Sequence, residues 1–179
     1  MSQQLRQLKT RIRSIEGTWK VTRAMEMVST SKFKAIEKPL GMNRKYYQKV
    51  ENLFQSLVSV EGDIKGPYFT PNDQDPVGIL VLTSDAGLCG NYNNQLLRMV
   101  EEFARQNKKR GVKLFVYGRK GYGYFKKRGL PVEQFFPGFH GRLVGNFHEP
   151  ILNALLKAYL EGVVGEVHVA YSVFHNAMK

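Results

Sequence analysis

Leu5, Leu8, Ile12, Ile15 and Trp19 recur at alternating steps of three and four residues, and Thr22, Met25 and Val28 continue the series at steps of three. This is the seam of a helix that lies along another helix. Arg6, Lys9, Arg11, Arg13, Lys20 and Arg23 fill the positions between, opposed only by Glu16 and Glu26. A basic rod with an apolar stripe needs a helical partner and an acidic or anionic surround.

The charge is concentrated in this part of the chain. Residues 1–50 hold 12 Lys/Arg against 3 Asp/Glu, a net of +9, whereas residues 51–179 hold 15 against 12, a net of +3. Nucleic acid, an anionic lipid surface or an acidic protein collar would each balance such an excess. Nucleic-acid binding accounts for the charge but not for the seam; a rod enclosed by a protein collar accounts for both. The single cysteine, Cys89, excludes an intrachain disulfide and a paired-cysteine metal site and fits a reducing compartment. No apolar run reaches the roughly 18–20 residues of a membrane span, and the N-terminus lacks the apolar core of a signal peptide, so the sequence reads as soluble and non-secreted.

Helical spacing continues to about Val60, with Tyr46, Tyr47, Val50, Leu53, Phe54, Leu57 and Val58 as a second apolar set. Pro39, with Gly41 close behind, interrupts it, so residues 1–60 form either one rod kinked near 39 or two helices, about 3–38 and 42–60. Residues 61–76, rich in Gly, Pro and Asp, read as a linker loop. Residues 77–179 then alternate strand and helix. Val77–Thr83, Val112–Tyr117 and Val167–Phe174 read as strands, and Asn94–Gln106, Lys120–Arg128 and Phe147–Leu160 as helices. The fold class is therefore α/β: a long helix of coiled-coil type followed by a Rossmann-like domain with a mainly parallel sheet.

No catalytic constellation emerges. The loop Ser84–Asn93 joins the first strand to its helix, where a phosphate can bind, but it lacks the Lys-Ser/Thr ending of a P-loop and the GxGxxG spacing, and reads as a structural turn. Gly118–Gly123 carries charge and aromatics where a dinucleotide loop needs small residues. Asp85 with Ser84 suggests nucleophile chemistry, but no triad assembles around them. Cys89, near a helix start, reads as structural more than reactive. His140, His148, His168 and His175 make no metal-ligand pattern; His168 and His175, seven apart on or beside one strand, are expected on opposite faces. No catalytic residue, cofactor or metal is expected.

Several stretches, in order, resemble one family. Arg11–Ile15, Thr18, Lys20–Ser29 and Ser31–Lys32 are similar to the N-terminal helix of the F-type ATP synthase gamma subunit. Leu82–Asp85, Gly87–Gly90 and Asn93 resemble the loop after that family's first strand, and Gly118–Gly121 and Tyr171–Phe174 resemble later segments. The resemblance implies a non-catalytic central-stalk rotor that couples ion-driven rotation to nucleotide chemistry in the beta subunits. Its partners would be the alpha and beta subunits, epsilon and the c-ring. It would be peripheral on the cytoplasmic face of the inner (plasma) membrane, or the organellar equivalent. It places Arg11, Lys20, Arg23, Met25, Glu26 and Lys32 at the alpha/beta collar. Leu5, Leu8, Ile12, Ile15, Trp19, Thr22 and Val28 fall in the coiled-coil seam, and Asp85, Gly87, Leu88, Cys89, Gly90 and Asn93 on the epsilon side of the foot. Ala86 stands where the family has arginine, Asn91-Tyr92 where it has a small residue and an aromatic, and Glu26 where it has a basic residue. The family's long C-terminal helix has no counterpart before Lys179, so the seam is expected to lack an intrachain partner and the isolated chain to self-associate through residues 3–28. A basic-helix nucleic-acid module, and an enzyme holding a phosphorylated ligand in the 85–93 loop, are the alternative expectations.

Overall fold

The computed structural model describes residues 3–59, 66–68, 76–139 and 145–175. The chain divides into two compact units, Met1–Asp63 and Ile64–Lys179.

The first unit is the helix α1, Gln3–Ser59, which runs unbroken through Pro39. Of the two arrangements that Pro39 allows, the single helix is the one formed. The missing amide removes one rung of the ladder, while long helical stretches on both sides keep theirs. At about 1.5 Å per residue its 57 residues extend roughly 85 Å. None of its described residues is buried. Leu8, Ile12, Ile15 and Trp19 are 59, 48, 65 and 57% exposed, a continuous uncovered seam. Thr22 fits this apolar row because its hydroxyl donates to the Thr18 carbonyl at 2.9 Å, so its polar group is satisfied within the helix. Thr10 and Thr18 bond back to Arg6 and Ser14 in the same way. The Arg23 guanidinium lies 5.5 Å from the Trp19 ring centre, one turn away.

The second unit is built on four strands: β1 Val77–Leu82, β2 Val112–Tyr117, β3 Val132–Phe136 and β4 Glu166–Ala170. Three helices connect them: α2 Tyr92–Gln106, α3 Arg119–Lys127 and α4 His148–Leu160. The sheet order is β3-β2-β1-β4, with every pairing parallel. Val77 stands opposite both Val112 and Glu166, which makes β1, like β2, an inner strand. Its continuous apolar run has a physical reason. Val77, Ile79 and Val81 pack with Leu97, Val100 and Phe125 of α2 and α3, while Leu80 packs with Ile151 and Ala158 of α4 on the other face. The three layers are those expected of a Rossmann-like domain.

Three features differ from the sequence expectation. β3 is a strand that the sequence does not announce, an edge strand whose Glu133 and Gln134 are exposed, so it carries no continuous apolar run. The last strand, expected over Val167–Phe174, is Glu166–Ala170. The ladder with β1 ends at Val81 opposite Ala170, because the chain turns away after Leu82, and Tyr171 and Val173 are left more than half exposed. His175 is therefore outside the strand, and strand alternation does not relate it to His168; His168 packs against Phe103 with its Nε2 3.5 Å from Glu166. Most of the 61–76 loop, and His140, lie outside the described residues.

Among the described residues no helix is long and apolar enough to cross a membrane.

Candidate functional site

The collar and seam residues named above all lie on α1, and each is exposed. The other residues expected from sequence, Asp85 to Asn93, lie between the carboxyl end of β1 and the first turn of α2, where a knot of hydrogen bonds joins this loop to the end of β2 and the start of α3. Thr83, 5% exposed, donates its hydroxyl to the Tyr117 carbonyl at 2.8 Å and accepts the Gly121 amide at 2.9 Å. The Ser84 carbonyl accepts the Lys120 amide at 3.1 Å. One Asp85 carboxylate oxygen accepts the amides of Arg119 and Gly138, both at 3.1 Å. The first three amides of α3, which no helical carbonyl can reach, are thus satisfied in turn by Asp85, Ser84 and Thr83. A helix N-terminus of this kind ordinarily attracts phosphate; here the preceding loop occupies it, with Asp85 supplying the anion.

Three glycines permit the close contacts of the knot; at Gly138 a Cβ would lie 2.2 Å from the Asp85 carboxylate, and the other two meet Thr83. Gly118 has φ +94°, and a Cβ there would lie 2.2 Å from the Thr83 carbonyl oxygen. A Cβ on Gly121 would come within 3.0 Å of both the Thr83 side chain and Val116. These two positions serve the close approach of β1, β2 and α3.

Asn93, 8% exposed, holds the other end of the loop. Its side-chain oxygen accepts the Ser84 amide at 3.0 Å, and its amide nitrogen donates to Ser84 Oγ at 2.8 Å and to Cys89 Sγ at 3.2 Å. Of the six residues expected from sequence in this loop, Asp85 and Asn93 therefore fix it, whereas Gly87, Leu88, Cys89 and Gly90 are exposed, Cys89 with its sulfur on Asn93. Leu88 is 88% exposed and holds φ +62°, a backbone region costly for a γ-branched side chain. Ser84 Oγ donates to the Ala86 carbonyl at 2.7 Å, which commits it to the turn. Among the described residues no cluster of His, Cys, Asp and Glu is placed to hold a metal ion. Thr83, Gly118, Gly121 and Gly138 were not among the residues expected from sequence to matter in this loop.

Two tyrosines flank the knot. Burial raises the Tyr117 hydroxyl above its ordinary pKa, opposed by a backbone hydrogen bond at Phe139 and reinforced by the Asp85 charge. Burial also raises Tyr124, whose hydroxyl donates to Glu101 at 2.6 Å and whose ring lies 3.6 Å from the Arg128 guanidinium. A raised folded-state pKa means that the neutral phenol is favoured by the fold. Stability is then fully present below the unfolded value near 10 and declines as the pH rises through the folded values. Absorbance titration at 295 nm is expected to lose one late-ionising component in Tyr124→Phe and another in Tyr117→Phe. Curves from which neither variant removes signal above the ordinary tyrosine range would contradict this environment.

The sequence matches the ATP synthase family model over residues 4–179, which takes in both units. This chain belongs to the ATP synthase gamma family. It is similar to the ATP synthase gamma chain of Chloroherpeton thalassium, 32% identical over 97% of this chain and 59% of that relative. The Anaeromyxobacter dehalogenans gamma chain is 32% identical over 97% and 62%, and that of Paracidovorax citrulli 33% over 97% and 61%. The chain thus spans about three fifths of the length of the curated relatives it matches. Because the match begins at residue 4, the basic seam of α1 belongs to the shared region as much as the sheet domain does.

Proposed function

We propose that this chain is the central-stalk component of a rotary ATP synthase, a mechanical subunit that carries no active site of its own. The observation that carries this reading is the joint family match of a 57-residue basic helix with an exposed seam and a parallel four-stranded domain. A rotor does not need catalytic groups. It needs a stiff element whose faces differ, so that each angle stabilises a different conformation of the surrounding subunits and rotation becomes a difference in nucleotide affinity. On α1 the apolar and basic faces supply that asymmetry.

In this reading α1 enters a collar of alpha and beta subunits. Arg11, Lys20, Arg23, Met25, Glu26 and Lys32 meet it, and Leu5 to Val28 pack on a second helix. The sheet domain forms the foot, with Asp85, Gly87, Leu88, Cys89, Gly90 and Asn93 toward epsilon and the c-ring. The subunit is then peripheral to the membrane through the complex. A pull-down with this chain as bait against assembled alpha/beta hexamer and epsilon, at moderate and high salt, is expected to retain both, with hexamer retention falling as salt screens the basic helix. Retention of epsilon alone would separate a folded foot from a competent shaft, and retention of neither would overturn the assignment.

A further inference from the structure

Beside the knot lies an open cleft of about 600 Å³ between the loop 87–90, the start of α2 and one edge of α3. Its electrostatics are one-sided. Arg119, Lys120, Lys127 and Arg128 line it, and no carboxylate does. Glu101 offsets Arg128, with its carboxylate 3.4 Å from the Arg128 Nε. Arg119, Lys120 and Lys127 have no ion-pair partner among the described residues. The cations stand as two pairs, at positions 119/120 and 127/128, roughly 12 Å apart along the helix. Between them is Gly123, above which nothing lies within 4 Å of a Cβ position, so the floor is open. Asp85, bonded to the Arg119 amide, offsets part of this charge, but three cations without an ion-pair partner against one nearby carboxylate leave a positive excess along the concavity that attracts anions.

We propose that this cleft binds a small anion carrying two or more phosphates. The volume suits a nucleotide-sized ligand. The paired Arg and Lys groups match phosphate oxygens, which the guanidinium fork engages two at a time. An acidic peptide is the weaker fit: peptides are gripped through a free strand edge or apolar pockets, and here the walls are two helices whose backbones are already bonded. The shared chemistry has two cellular sources, a nucleoside polyphosphate or a phospholipid headgroup with two phosphates.

The test uses the full chain and inorganic tripolyphosphate in isothermal titration at low salt. One site is expected. Lys120→Gln with Lys127→Gln should weaken binding about tenfold or more, the loss expected for charge-assisted hydrogen bonds. Gly123→Leu, which fills the floor without meeting an atom at Cβ, should abolish it without lowering the melting temperature. Lys108→Gln with Lys109→Gln, exposed cations outside the cleft, should change little. Competition by ATP would assign the nucleotide source, and capture by phosphatidylcholine vesicles containing diphosphatidylglycerol, lost in the 120/127 variant, the lipid source; either supports the site. Absence of binding, equal loss in the 108/109 variant, or tighter binding of a polyglutamate peptide than of tripolyphosphate would overturn it.

Discussion

Gly118→Ala is expected to unfold the sheet domain at a temperature at least about 15 °C below the parent. Two costs combine. Position 118 holds φ +94°, strained for any residue with a Cβ, and the new methyl would sit 2.2 Å from the backbone oxygen of Thr83. That oxygen cannot swing aside as a side chain would, because the Thr83 amide is held by Tyr117 at 2.9 Å and its hydroxyl by the same carbonyl. Strain of about 1–3 kcal/mol and overpacking of similar size give a loss of roughly 3 kcal/mol or more, large against the stability of a domain this small. Gly123→Ala is the internal control. It lies in the same helix with open space at Cβ, and is expected to stabilise by about 0.5–1 kcal/mol. Thr83→Val keeps the shape but leaves the Gly121 amide without its acceptor, which should cost about 1–3 kcal/mol. Tyrosine fluorescence reports the melt, since seven of the nine tyrosines lie beyond residue 63. A Gly118→Ala melt within a degree or two of the parent would show that the knot does not hold the domain.

This knot also shows which parts of the molecule can be read from sequence. β1, β2 and α2 were legible because burial writes itself locally: VGILVL is covered on both faces, and Leu96, Leu97 and Val100 repeat at helical spacing. β3 was not, because an edge strand with Glu133 and Gln134 outward has no distinctive run. The end of β4 was not, because a strand stops where its partner stops, and nothing in Tyr171–Phe174 records that β1 turns at Leu82. The loop 84–93 has a visible turn composition, yet the contacts that hold it are not readable from its own residues. The Thr83 hydroxyl meets a glycine amide 38 positions away, and Asp85 meets one 53 positions away. Pairings of that range exist only once the sheet has closed. For Pro39 the local penalty was visible but its outcome was not, since helix on both sides outweighs one lost rung.

Replacing Leu8, Ile12 and Ile15 together with Gln is expected to convert the isolated 179-residue chain from an associating species to a monomer. The three side chains are 59, 48 and 65% exposed on a helix with no buried residue, so they are available to a second copy. Each contributes about 1.5–3 kcal/mol when covered, and losing three should weaken association by a thousandfold or more. Glutamine is close to neutral as a helix former, so far-ultraviolet circular dichroism should hold while mass by light scattering falls. An unchanged mass would show that the seam does not mediate self-association. Salt then distinguishes the two kinds of partner the helix could meet. Residues 3–28 carry six Lys/Arg and two Glu, so two copies repel each other, and raising salt should strengthen self-association. In the proposed assembly the same charges would attract an acidic collar, and raising salt should weaken that complex. The seam supplies apolar area in both cases, and the charged face decides which association prevails at a given ionic strength.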